Sequence, residues 1–267
     1  MGKIRQEKII EIENFSFAIR KTGILRNLCL SIREGEYVSI VGPNGAGKTT
    51  LIKCLNRIFK NGKGQIRIAG KDLEKYSQKD LAKMTSYVPQ ANGHHFSFTV
   101  REFVLMGRYP YVSPFSSVSE KDEAAVEKAL GITGTRAWAD RRITTLSGGE
   151  RQKVLIAAAL AQEARILLLD EPITFLDPGY QDDIYAILKK VNLDQGITIV
   201  SATHDINSAV LHSQKIIALK QGELFFDGFP RDIMNHEQLF QLYGKPFSFV
   251  DHPETGMPII LPGGDLC

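Results

Sequence analysis

The sequence predicts an α/β protein with a mostly parallel sheet. Three short, largely apolar runs carry that expectation: Tyr37–Val41, Ile166–Leu169 and Ile197–Ala202. Each is continuous where a half-exposed strand would alternate with polar residues, so each reads as a strand covered on both faces. Helix-forming stretches separate the runs, as parallel crossovers require. The runs end at Gly42, at Asp170 and near His204, so their ends collect polar residues.

The elements follow in order. Residues 9–41 alternate short β-like segments with turns. Residues 48–59 predict a helix, because Leu51, Ile52, Leu55, Ile58 and Phe59 share one face at helical spacing. Gly64–Gly70 reads as part of a hairpin. The middle, from about 93 to 164, differs in character, with helical patterns at 99–107 and 120–130. Ser119 and Asp122 open the second as a capping box. Between them lies Arg108–Val118, a loop rich in proline and aromatics. Arg151–Gln162 is helix-forming. Ile216–Leu219 and Glu223–Phe226 flank Gln221-Gly222 as a late hairpin. The tail after Gly244 carries Pro246, Pro253, Pro258 and Pro262 and reads as an extension or loop without a catalytic part.

Composition narrows the classes. The 267 residues are 43% hydrophobic and 24% charged, as in ordinary globular domains. Disorder, collagen-like repeats and disulfide scaffolds are excluded, and neither an internal repeat nor a low-complexity stretch is present. A net charge of +3 does not predict nucleic-acid or lipid binding. No apolar run approaches a bilayer span, and MGKIRQEKII is not followed by the apolar stretch of a secretory signal. Gly2 is followed by Gln6 where a myristoylation site needs Ser or Thr. Cys29, Cys54 and Cys267 fit neither a disulfide framework nor a zinc site. They read as two small apolar residues and one terminal thiol in a reducing compartment.

Residues 42–50, Gly42-Pro43-Asn44-Gly45-Ala46-Gly47-Lys48-Thr49-Thr50, match the G-x-x-x-x-G-K-[ST] phosphate loop between an expected strand and an expected helix. Its glycines let backbone N–H groups converge on one anion, and the following helix adds its positive end. Lys48 reaches the β- and γ-phosphates, the Thr49 hydroxyl ligates Mg²⁺, and Thr50 adds a phosphate contact. The partner acid is Asp170, at the end of a buried strand, orienting Mg²⁺ through water. Glu171 follows as general base or water-positioner. These motifs alone leave a nucleoside triphosphatase and a kinase both open.

Leu146-Ser147-Gly148-Gly149-Glu150 leads into a helix and forms a second anion site. One triphosphate does not need two such sites in one chain, so each is expected to serve a nucleotide held by another copy. At this point the sequence resembles the ATP-binding-cassette ATPases, whose signature motif this pentapeptide matches. The resemblance covers residues 8–243 and implies a P-loop NTPase core with a mostly parallel sheet, an N-terminal antiparallel β subdomain and an inserted helical subdomain. The core is expected at about 1–92 and 165–243, the helical subdomain at about 93–164, and a C-terminal extension at 244–267.

The same resemblance gives roles to further residues. Gln90, in Tyr-Val-Pro-Gln, matches the glutamine that senses Mg²⁺ and the attacking water. Asp177, after Leu176, matches the end of the loop that crosses the dimer interface. His204, which alone reads as a structural histidine, matches the histidine that contacts the γ-phosphate. Ile19 stands where the family often stacks an aromatic on adenine, with Phe17 two residues earlier on the same strand face. Its lack of an aromatic ring is expected to change base affinity by about 1 kcal/mol. Ile173-Thr174-Phe175 replaces the commoner Thr-Ser-Ala, with a hydroxyl kept at Thr174.

Val104–Pro114 resembles the Met-Gly-Arg-x-Pro stretch of ATPases serving iron–siderophore, haem and cobalamin importers, as does the tail around His252–Pro262. The implied protein binds ATP and Mg²⁺, closes head-to-tail with a second copy, and lies on the cytoplasmic face of the membrane against permease subunits fed by a binding protein. Tyr109, Tyr111 and Phe115 either line the groove that grips a permease helix or pad the helical subdomain. His94 and His95 read as an exposed loop pair, with Phe96 and Phe98 better suited to the permease contact. Molybdate or tungstate import, and a soluble cassette ATPase for iron–sulfur cluster assembly, are the alternatives. A module that senses ATP without turnover is disfavoured by intact Lys48, Asp170, Glu171 and His204.

Overall fold

The computed structural model describes residues 7–90, 97–112 and 117–261. Gly2, Gln6, His94, His95, Phe96, Phe115 and Cys267 lie outside the described residues. The chain divides into two compact units, residues 1–73 with 200–267, and residues 74–199.

The first unit opens with two long strands, β1 (Lys8–Ile19) and β2 (Thr22–Arg33), joined by a tight turn at Arg20 and Lys21. β3 (Tyr37–Val41) is buried along its whole length, as its unbroken run predicts. α1 (Lys48–Leu55) follows the phosphate loop. β4 (Lys63–Ile68) and β5 (Lys71–Asp72) form the expected hairpin, and β2-β1-β4-β5 make an antiparallel sheet. Helix α1 stops at Leu55, short of the expected Phe59. Arg57 takes a φ of 53°, and the N–H groups of Ile58 and Phe59 both turn back to the Lys53 carbonyl. Ile58 is therefore exposed instead of sharing the buried face of Leu51, Ile52 and Leu55. Cys54 is buried, with its thiol pushed up to about 12 by desolvation. Cys29 is exposed and donates to the Asn14 side chain, so it is not the apolar filler its composition suggested.

The second unit contains α2 (Gln78–Met84), β6 (Thr85–Val88), α3 (Val100–Met106), α4 (Glu120–Thr133), α5 (Gly148–Ala161), β7 (Ile166–Asp170) and α6 (Pro178–Gln195). β6 and β7 pair in parallel, Tyr87 opposite Leu168. Capping boxes open three of these helices: Thr99 with Glu102, Ser119 with Asp122, and Ser147 with Glu150. Each satisfies N–H groups that a helix start leaves unpaired. Arg108 ties the unit together from within. Its Nε donates to Asp122 at 2.9 Å, and its Nη1 donates to the Ala161 carbonyl and to Glu163, each at 2.7 Å. The Tyr111 ring lies 4.1 Å from the guanidinium carbon.

The chain then re-enters the first unit. β8 (Thr198–Ala202) spans the division, and α7 (Ile206–His212), β9 (Lys215–Lys220), β10 (Glu223–Gly228), α8 (Pro230–Ile233) and α9 (His236–Tyr243) follow. β9 pairs in parallel with β3 and antiparallel with β10, around the expected turn at Gln221 and Gly222. The tail is ordered as a hairpin of β11 (Ser248–Asp251) and β12 (Pro258–Leu261). Phe249, Met257 and Ile260 pack on a core that includes Ile206, Val210, Ile233 and Leu239. Asn207 fixes the hairpin edge, donating to the Ile260 carbonyl and accepting from the Ile260 N–H, both at 2.8 Å.

Candidate functional site

In the first unit the site grows from the end of β3. Gly42, Gly45 and Gly47 take φ values of 142°, 79° and 102°. Gly42 has no room for another residue, since a Cβ there would stand 2.1 Å from the Leu219 carbonyl oxygen. The Ala46 N–H donates to the Pro43 carbonyl at 3.1 Å, closing the loop on itself. Lys48 is buried at the start of α1, and its ammonium donates to the carbonyls of Gly42 at 2.8 Å and Pro43 at 3.2 Å. A cation is thus held across the loop, next to the positive end of a helix, which is the electrostatic requirement for a phosphate cradle. Thr49 and Thr50 occupy the first turn of α1 and are partly exposed, while Asn44 stands on the exposed rim.

His204 belongs to the same unit. The Thr203 N–H donates to the Ile40 carbonyl at 3.0 Å, so His204 emerges exposed beside the end of β3. The Asp205 carboxylate next to it caps α7 by accepting from the Ser208 N–H. Ile19 ends β1 and is 44% exposed. Phe17, two residues earlier, is buried in a stack on Phe59 with ring centroids 5.3 Å apart.

In the second unit Asp170 is buried at the end of β7, where four buried residues in succession carry the chain to it. The Tyr87 hydroxyl donates to Asp170 Oδ2 at 3.4 Å, and burial with the neighbouring carboxylate raises the Tyr87 phenol above its usual range. Glu171 follows with a φ of 51°, and its carboxylate accepts from the Thr174 hydroxyl at 2.8 Å. Neither partner was read from the sequence. Tyr87 lies 83 residues from Asp170, and only the parallel pairing of β6 with β7 brings it there. Gln90 lies two residues beyond the end of β6, after Pro89, and is partly exposed.

The Ser147 element lies at the exposed start of α5. The Ser147 hydroxyl accepts from the Glu150 N–H at 3.3 Å, and the Ser147 N–H donates to Glu150 at 2.7 Å. These bonds, with the nearby Arg141, hold the Glu150 carboxyl below the usual range. Gly148 is exposed, whereas a Cβ on Gly149 would meet the Tyr180 ring at 2.3 Å. Asp177 is exposed at the cap of α6, where its side chain makes no capping bond and Pro178 starts the helix. Of the loop aromatics, Tyr109 is 71% exposed and Tyr111 lies against Arg108. Among the described residues, no cluster of three His, Cys, Asp or Glu could hold a metal, and no helix is long and apolar enough to cross a membrane.

The ABC transporter family profile matches residues 25–174. The ferric enterobactin transport ATP-binding protein FepC of Escherichia coli is 36% identical over 94% of this chain and 93% of its own length. The iron(3+)-hydroxamate import ATP-binding protein FhuC of Bacillus subtilis is 39% identical over 89% and 88%. Among solved structures, a chain of a transporter described as of the metal-chelate type, in an inward-facing conformation, superposes with a TM-score of 0.84. It has 29% identity and covers 97% of this chain and 99% of that one. The ATP-binding cassette MJ0796, solved as a dimer in a post-hydrolysis state with ADP and Pi, superposes at 0.72 with 29% identity over 83% and 99%. The expected α/β P-loop fold is the one these structures share. The chain therefore belongs to the ABC transporter family, as one of its ATP-hydrolysing cassettes.

Proposed function

We propose that the chain energises uptake of an iron chelate, a ferric siderophore or haem, or of cobalamin, from the cytoplasmic face of the membrane. In this reading it works as a head-to-tail dimer against separate permease subunits, and a binding protein delivers the cargo. The observation that carries the reading is likeness over nearly the whole length to ATP-binding proteins named for siderophore transport.

Each residue has a task. Gly42, Pro43, Asn44, Gly45, Ala46 and Gly47 turn the backbone around the phosphates, and Lys48 exchanges its loop carbonyls for phosphate oxygens. Thr50 adds a hydroxyl, and Ile19 packs on the base. The Thr49 hydroxyl and the Asp170 carboxylate are hard oxygen donors of the kind Mg²⁺ takes, with Gln90 as a third. The ion supplies charge that offsets the phosphate oxygens. Glu171 draws the proton from the attacking water, and His204 steadies the γ-phosphate. Ser147, Gly148 and Gly149 bind the nucleotide of the other copy, with Asp177 on the crossing loop. ATP drives closure because it binds the closed dimer more tightly than the open one.

The test has two parts. Glu171→Gln should slow ATP hydrolysis by at least about 100-fold, the scale of a lost positioned base, and trap an ATP-bound dimer. Deleting the chain's gene should abolish uptake of a radiolabelled ferric siderophore, haem or cobalamin, and the protein should copurify with membrane permease subunits. Normal hydrolysis by Glu171→Gln, or unimpaired uptake of all three cargoes, refutes the proposal.

A further inference from the structure

We propose that Thr174 is a positioning residue for the Glu171 carboxylate, an inference that rests on the reading of Glu171 as the base. The local chain is built for this task. Glu171 leaves β7 in the left-handed region, with a φ of 51°, so the backbone turns as soon as the strand ends. Pro172 fixes the next torsion, and Ile173 is buried and anchors the turn. The turn then closes twice. The Thr174 N–H donates to the Glu171 carbonyl at 3.4 Å, and the Thr174 hydroxyl donates to Glu171 Oε2 at 2.8 Å.

The far side of Thr174 is pinned as well. The Leu176 N–H donates to the Ile173 carbonyl at 3.3 Å, and the Gln181 side chain of α6 donates to the Leu176 carbonyl at 2.8 Å. The hydroxyl is thus carried by a loop held at both ends. A glutamate side chain has three rotatable torsions, and each bond to its carboxylate reduces the orientations it samples. The bond from Thr174 to one carboxylate oxygen narrows the orientations open to the group. A base held in one orientation meets its water in the reactive geometry more often, and small misplacements of reacting groups cost large factors in rate. Thr174 touches neither nucleotide nor water in this scheme and acts only through Glu171.

Thr174→Val keeps the shape and the β-branch and removes the donor, whereas Thr174→Ser keeps the donor and loses a methyl. We expect Thr174→Val to lower the steady-state kcat of the full chain by roughly tenfold, with KM and equilibrium affinity for ATP unchanged, and Thr174→Ser to recover to within about twofold. In a Glu171→Gln background, Thr174→Val should cause no further loss. A Thr174→Val variant with wild-type kcat, a Thr174→Ser variant as slow as Thr174→Val, or an equal loss in the Glu171→Gln background overturns the positioning role. A fast Glu171→Gln variant overturns the reading of the base, and the positioning role falls with it. A slow Glu171→Gln beside a normal Thr174→Val overturns the positioning role alone.

Discussion

Replacing Arg108 by methionine removes one guanidinium while keeping most of the apolar length of the side chain. In the native chain that group is buried, with 4% of its side chain exposed against 7% for its partner Asp122. Loss of the guanidinium leaves the Asp122 carboxylate buried with Ser119 as its remaining described hydrogen-bond donor, and the Ala161 carbonyl loses the donor it had in Arg108. Removing one member of a buried ion pair costs about 3–5 kcal/mol, because the other is left uncompensated. The bond to Glu163 adds little, since that carboxylate is half exposed. For a chain of this size each kcal/mol shifts the melting temperature by about 2–4 °C, so a fall of roughly 6–20 °C is expected by circular dichroism at pH 7. Adding Asp122→Leu removes the stranded charge and should restore much of the loss. The Ser119 hydroxyl first, and Arg108 next, hold the Asp122 carboxyl below the usual range. Its stabilisation is therefore complete above the unfolded value near about 4 and fades as the pH falls below it. The gap between wild type and Arg108→Met should accordingly narrow in acid. A melting temperature within about 2 °C of wild type at pH 7 would refute the reasoning.

Gly42→Ala should abolish ATP binding, read by isothermal titration, because its Cβ collides with the Leu219 carbonyl oxygen. Ser147→Arg should keep ATP binding while blocking ATP-dependent dimerisation, read by light scattering. Its lost helix cap should cost only about 1 kcal/mol. The Glu150 carboxyl is held low by the Ser147 N–H and then Arg141, so its contribution is present above about pH 4 and lost below. Amide exchange in the first turn of α5 should therefore quicken, relative to the helix centre, as the pH drops through that range.

The parts of this protein that were legible in its sequence are those encoded by spacing alone. The phosphate loop is fixed by glycines at set intervals, and its strand and helix flank it where the motif requires. The Ser119–Asp122 box opens α4 as expected, since both partners lie within one turn. Helix α1 was overextended because Ile58 and Phe59 continue the apolar period, and periodicity carries no signal that Arg57 will adopt a positive φ. The stack of Phe17 on Phe59 is equally silent in the sequence, because alternation assigns a side chain to a face and says nothing of what packs on it. Arg108 was read only as the start of a loop rich in proline and aromatics, yet its charge is buried by partners 14 and 55 residues away. Contacts of that kind, like Tyr87 on Asp170, arise only when separate elements pack. Thr174 on Glu171 is local enough to be found, but a hydroxyl three residues from a carboxylate occurs in many loops that make no such bond.

The clasp between Asn207 and Ile260 bears on how this protein is handled in the laboratory. A side-chain amide there pairs the N–H and C=O of Ile260 as a neighbouring strand would, so that point on the edge of the terminal ribbon is already occupied. A shortened version ending at Gly244 would strip that covering from Ile206, Val210 and Leu239. Such a product should precipitate on storage, and the intact C-terminus belongs in every preparation.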